Sequence, residues 1–124
     1  MLRLLAPLFA MATCLAACGG KPAAPDAVYQ TRARVVEVHG SGDDLRVTME
    51  HEAIPDFKDR SGTPSEMPAM SMAFGVAREV DAAAFEPGSQ WQFTFDVSWQ
   101  REPVVRITSA TALPADVRLE LPSH

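Results

Sequence analysis

An all-β fold, one small closed barrel of five short strands, is what this sequence predicts, and three observations predict it. Segments alternate strictly between apolar and polar residues with a period of two, as half-buried strands do. Clusters of Gly, Asp, Ser and Pro divide those segments. The chain has 124 residues, a length that supports one small domain and no more.

The first strand is expected over residues 29–39, and Gly40-Ser41-Gly42-Asp43-Asp44 reads as the turn that ends it. Leu45, Val47, Met49 and His51 then fall on one face of a second strand, with Arg46, Thr48, Glu50 and Glu52 on the other. His51 continues the core-facing row and is expected to emerge where that row reaches the barrel mouth. A polar stretch over residues 56–66 follows, read as a tolerated surface loop in preference to a mobile lid. Met70, Met72, Phe74 and Val76 form the inward row of a third strand, and residues 81–85 suggest a helical turn before Pro87-Gly88. The clearest alternation sets Trp91, Phe93, Phe95, Val97 and Trp99 against Gln90, Gln92, Thr94, Asp96 and Ser98. Arg101-Glu102-Pro103 turns that strand into the last, residues 104–111. Five strands with one short helical piece suggest a barrel of the OB type.

The N-terminus reads as an export signal. Arg3 precedes the apolar stretch of residues 4–12, which is too short to span a bilayer. Leu15-Ala16-Ala17-Cys18 then resembles the lipobox of bacterial lipoproteins, in which cleavage leaves the cysteine as a lipidated first residue. The expected organisation is a signal over 1–17, lipidated Cys18 and a flexible tether over 18–27, a barrel domain over 28–113 and a C-terminal tail over 114–124. The tether reaches at most roughly 30 Å when extended. Cys14 would leave with the signal and Cys18 would be consumed by lipid, so the exported chain would hold neither free thiol nor disulfide. No acidic residue follows Cys18 directly. By resemblance to sorted lipoproteins, the destination is the periplasm-facing envelope, with the outer membrane favoured where the cell has one.

Charge excludes one class of partner. The formal net charge is −5, and loss of Arg3 with the signal makes the remainder more acidic. Nucleic-acid binding draws most of its affinity from Lys and Arg, so that function is not expected. No nucleophile lies beside a base, and no phosphate loop or closed zinc pattern is present. An enzyme is therefore not expected.

The chemistry lies in the run Glu66-Met67-Pro68-Ala69-Met70-Ser71-Met72-Ala73-Phe74, with His51 upstream. Thioether sulfur is polarizable and uncharged, which suits Cu(I) and Ag(I) and disfavours hard cations. Methionine also fills gaps in cores. Against that reading, Pro68 cannot donate to a ladder and so places Met67 at a strand entrance. Met70 and Met72 are two apart and share a face on a strand. Met49 shares the His51 face and is the rival ligand, although its neighbours Leu45 and Val47 favour a core role. His39 reads as a solvated turn residue, and His124 as part of a frayed end.

Residues 47–54, 67–74 and 87–95 together resemble the CusF-like periplasmic copper and silver binding proteins, over roughly residues 30–110. That resemblance implies a five-stranded OB barrel that binds Cu(I) or Ag(I) through one histidine and two methionines. Position by position, the implied ligands are His51, Met70 and Met72. In the family a tryptophan covers the metal where this chain has Met67, so that cap is missing and a third thioether ligand is expected in its place.

The expected function is a lipid-anchored metallochaperone or metal buffer. It would hold one Cu(I) and pass it to a protein partner, such as an efflux system or a copper-enzyme assembly factor. An OB-fold lipoprotein that binds a protein or saccharide partner, with no metal role, is the alternative. An imidazole with an ordinary pKa of about 6.5 would make metal affinity fall in mild acid, since binding needs its neutral form.

Overall fold

The structure, a computed structural model, describes residues 24–122. The expected signal over 1–17, Cys18 and His124 lie outside these residues. Five strands close into one barrel: β1 (Ala27–His39), β2 (Arg46–His51), β3 (Met70–Val76), β4 (Gln90–Val97) and β5 (Val105–Leu113). Around the barrel they run β1, β2, β3, β5, β4 and back to β1. This is the five-stranded OB-type barrel that the alternation predicts. Observed strand ends differ from the expected ones by at most two residues.

Closure depends on β1, which pairs with β4 through residues 27–34 and with β2 through residues 33–39. One strand serves two neighbours because a bulge between Val35 and Glu37 bends it, the device by which small barrels turn corners. Gly40, at φ 81°, then reverses the chain so tightly that any β-carbon there would collide with the Asp44 carbonyl. The helical turn is a 3-10 segment, Ala82–Ala84, capped by Asp81, whose carboxylate accepts from the Ala83 N–H at 3.1 Å. It delivers Phe85 to the core, edge-on to Trp91 at 4.8 Å.

The last seam joins β3 to β5 in parallel, at Gly75↔Arg106 and Val76↔Ile107. A side chain at 75 would run into the Pro103 ring, so glycine lets the two strands meet. Phe74 fills the centre, in edge contact with Phe93 and Phe95 at 5.1 Å each and with the His51 ring at 6.2 Å. Phe93, Phe95 and Val97 are buried as their alternation requires, whereas Trp91 and Trp99 at the two ends of that row are half-buried. On the outer face, Asp96 is buried contrary to its polar pattern. Arg101 and Arg106 cover it, at 2.6 and 3.2 Å from its two carboxylate oxygens.

The polar stretch over 56–66 is more than a surface loop. It forms a small hairpin with bridges at Ile54↔Met67 and Lys58↔Pro64. Asp59 Oδ1 organises the tip by accepting from the Ser61 N–H, the Ser61 hydroxyl and the Thr63 N–H. The base is anchored in the core: Phe57 is buried against Tyr29 at 5.0 Å and Trp99 at 6.3 Å, and the Lys58 N–H donates to the Tyr29 hydroxyl at 3.0 Å. A composition that is polar elsewhere hides this one anchoring ring.

Phe57→Ala should therefore destabilise the protein by about 3 kcal/mol or more, as deletion of a buried aromatic does. Arg60→Ala at the exposed tip should change stability by less than about 0.5 kcal/mol. Urea unfolding measures both, and equal small effects would show that the hairpin is not part of the core.

Candidate metal centre

The site is built on the antiparallel ladder of β2 and β3. In that ladder Val47 lies opposite Phe74, Met49 opposite Met72, and His51 opposite Met70. Directly opposed residues share a face, with β-carbons about 4.5–5.5 Å apart. Val47, Met49 and Phe74 are core residues, so this whole row, His51, Met70 and Met72 included, is on the inner face.

Exposure rises along β3 toward its first residue. Phe74 is fully buried, Met72 is half-buried against the core, and Met70 is 40% exposed at the barrel rim. His51 departs from expectation. It does not emerge at the mouth but is 0% exposed, because the chain beyond it stays close: the Ile54↔Met67 bridge continues the pairing of β2 and β3 past their ends. Two backbone hydrogen bonds hold that bridge, at 2.8 and 3.1 Å. Ile54 is a core residue, and Met67 opposite it packs half-buried against the same core. Met49 is fully enclosed within the hydrophobic cluster, the core role its neighbours suggest.

The His51 ring is polarised in one sense. Nδ1 lies 2.7 Å from the Glu52 carbonyl oxygen. A carbonyl can only accept, so Nδ1 carries the proton and Nε2 carries the lone pair. Nε2 is buried and has no hydrogen-bond partner. Buried nitrogen without a partner is uncommon, because it forfeits the hydrogen bond it had in water. Burial also pushes the His51 pKa below its ordinary value, and the hydrogen bond to the Glu52 carbonyl opposes that shift without reversing it. The imidazole is thus neutral at physiological pH. This arrangement, a fixed Nδ1–H and a free Nε2, is how metal-binding histidines are oriented.

Among the described residues, no group of three or more His, Cys, Asp and Glu side chains could hold a metal ion. Thioethers are what this part of the barrel offers His51 as companions. Glu50 and Glu52 sit on the outer face, as the alternation predicts, where they pair with Arg34 at 3.0 Å and Arg32 at 2.6 Å. Sequence reading passed over Glu52, since nothing in its spacing shows that its backbone carbonyl holds the ring of His51. His39 is exposed at the end of β1, 3.9 Å from Glu37.

The model of the family described as copper binding periplasmic protein CusF matches residues 28–109. The chain belongs to the CusF family. The match takes in most of the barrel, from the second residue of β1 into β5, and with it His51, Met67, Met70 and Met72. No curated protein and no solved structure gives a significant match. Cys18 and the segment after residue 109 lie outside the span that this CusF-family chain shares with the family model. No helix among the described residues is long and apolar enough to cross a membrane.

The depressed pKa of His51 has a measurable consequence. Below about pH 6.5 the unfolded chain takes up a proton at this residue that the folded barrel refuses. Stability should therefore fall with falling pH, by at most about 1.4 kcal/mol per pH unit, until the folded pKa is reached. Denaturant unfolding between pH 7.5 and 5 should show this loss, and His51→Gln should remove most of it. An unchanged slope in that variant would assign the proton to another group.

Proposed function

We propose that this protein binds one Cu(I), or Ag(I) in its place, through His51 Nε2 and the thioethers of Met70 and Met72, with Met67 as a third sulfur. The observation that carries this reading is the buried, proton-free and unpartnered Nε2 of His51, on the same face as two methionines. Soft, neutral donors suit a soft monovalent ion. They leave its positive charge in place, which limits affinity and suits exchange over storage. Met70 at the rim gives the ion a route in and out. Met67 stands at the neck of the hairpin, near the last paired position of the ladder, and replaces the covering aromatic ring of the resembling proteins.

The role is that of an envelope metallochaperone or buffer, with no enzymatic step. It would pass the ion to a metal-exchange partner of an efflux system or of copper-enzyme assembly. Lipid on Cys18 would hold it to the membrane, with the outer membrane favoured. Cys18→Ser should then release the protein from the membrane fraction. An unmodified Cys18 within an intact exported chain, seen by mass spectrometry, would remove the anchor from this scheme.

Anaerobic titration of the purified protein should show one equivalent of Cu(I) bound with submicromolar affinity. His51→Ala, Met70→Ala and Met72→Ala should each weaken it. X-ray absorption should find about three sulfur neighbours and one nitrogen, falling to two sulfurs in Met67→Ala. Absence of stoichiometric binding would leave an OB-fold lipoprotein that serves a protein or saccharide partner. Because the His51 pKa is pushed down, affinity should hold through mild acid and decline below the range of an ordinary histidine. The same acid decline in His51→Ala would assign the nitrogen ligand elsewhere.

A further inference from the structure

Glu52 is the first residue past β2, and its peptide group lies where the ladder with β3 has opened between His51↔Met70 and Ile54↔Met67. The carbonyl that orients the His51 ring therefore receives no support from β3. It is fastened from other directions. The Glu52 N–H donates to the Arg32 carbonyl at 2.9 Å. Arg32 grips the carboxylate with both arms, Nε to Oε1 at 2.6 Å and a terminal nitrogen to Oε2 at 2.7 Å. The Thr31 hydroxyl reaches the Glu52 carbonyl itself at 3.4 Å.

One further bond comes from far along the chain. After β5 ends at Leu113, residues 114–122 return to β2, with Val117, Leu119 and Leu121 half-buried. The Glu120 N–H donates to Glu52 Oε2 at 2.8 Å. Glu120 lies eleven residues past the end of the family match at residue 109, so this strap is not part of the matched span.

We propose that Glu52 is the positioning residue of the metal centre, held by Arg32 and by the C-terminal strap in a clamp that fixes which nitrogen of His51 is free. The proposal rests on the metal-binding reading above. Tautomer choice in a neutral imidazole is set by the hydrogen bond that the other nitrogen makes. With the carbonyl fixed, Nδ1 keeps the proton and Nε2 keeps its lone pair inside the barrel. With residue 52 loosened, the ring can turn and carry its proton on Nε2, the position the ion needs. Charge-assisted and bidentate bonds are the ones strong enough to hold a residue outside its ladder. Loss of such support typically costs 10–100-fold in metal affinity.

Two readouts on the purified protein test this: the His51 tautomer of the metal-free form, from long-range nitrogen–proton NMR at pH 7.5, and competitive Cu(I) titration. The unsubstituted protein should show the Nδ1–H tautomer. Glu52→Ala should show a mixture and bind Cu(I) about 10–100-fold more weakly. Glu52→Gln should recover most of both, since its amide oxygen still accepts from Arg32 or Glu120. Glu120→Pro deletes the strap N–H that donates to Glu52 and should shift both readouts in the same direction by less. It also decides the case in which Glu52→Ala fails to fold. An unchanged tautomer and unchanged affinity in the folded variants would overturn the clamp. Tautomers that move as expected in a protein that binds no Cu(I) would leave the clamp standing and remove the metal-binding reading instead.

Discussion

The register between β2 and β3 governs the remainder of this structure. Side chains alternate across a strand, so sliding β3 by a single residue would send Met70 and Met72 to the solvent face and Ser71 and Ala73 into the core. The observed register is held by the core itself, with Val47 opposite Phe74 and both fully enclosed. Burial of Phe74 among Phe93 and Phe95 thus fixes, a few residues further along the same ladder, which side chains His51 meets. Packing at the centre and chemistry at the rim are consequences of one alignment. A substitution that disturbs Phe74 would reach the site through its edge contact with the His51 ring.

His51 carries an energetic contradiction that the fold tolerates. A ring nitrogen without a partner, in a place where water cannot reach, is a destabilising feature of about 1–3 kcal/mol by general experience with buried polar groups. The core around it supplies the means to bear this: a ring contact with Phe74, an Nδ1 bond to the Glu52 carbonyl, and no exposed surface. Structures keep such strain where a function makes use of it. The same burial that leaves Nε2 unpartnered also keeps it free of a proton.

Much of this was legible in the amino-acid sequence. Two-residue alternation located every strand to within two residues, because each inward row meets one continuous core. Met70, Met72 and His51 could be placed on inner faces for the same reason, whereas their pairing across one ladder, His51 opposite Met70, comes from the structure. What escaped was set by contacts between distant segments. Phe57 sits in a run of polar residues, and only the proximity of Tyr29 and Trp99 makes it a core residue. Asp96 reads as a solvent-facing residue until Arg101 and Arg106 fold over it. His51 was expected at an opening, whereas the Ile54↔Met67 bridge seals that side. Glu52 acts through a backbone atom, which no side-chain pattern reports.

Closure of the barrel is uneven. β3 meets β2 along six register positions but meets β5 at only two, both at its far end. The half of β3 that carries Met70 and Met72 is therefore tied on one side and pinned at Gly75 and Val76, like a door hung on its closing edge. Outward movement of that half would break bonds to β2 alone and leave the β1, β4 and β5 walls intact. A guest that bridges His51 on β2 to the methionines on β3 would latch this flap, and its departure would unlatch it, so that filling and emptying would be felt as stiffness along a single seam.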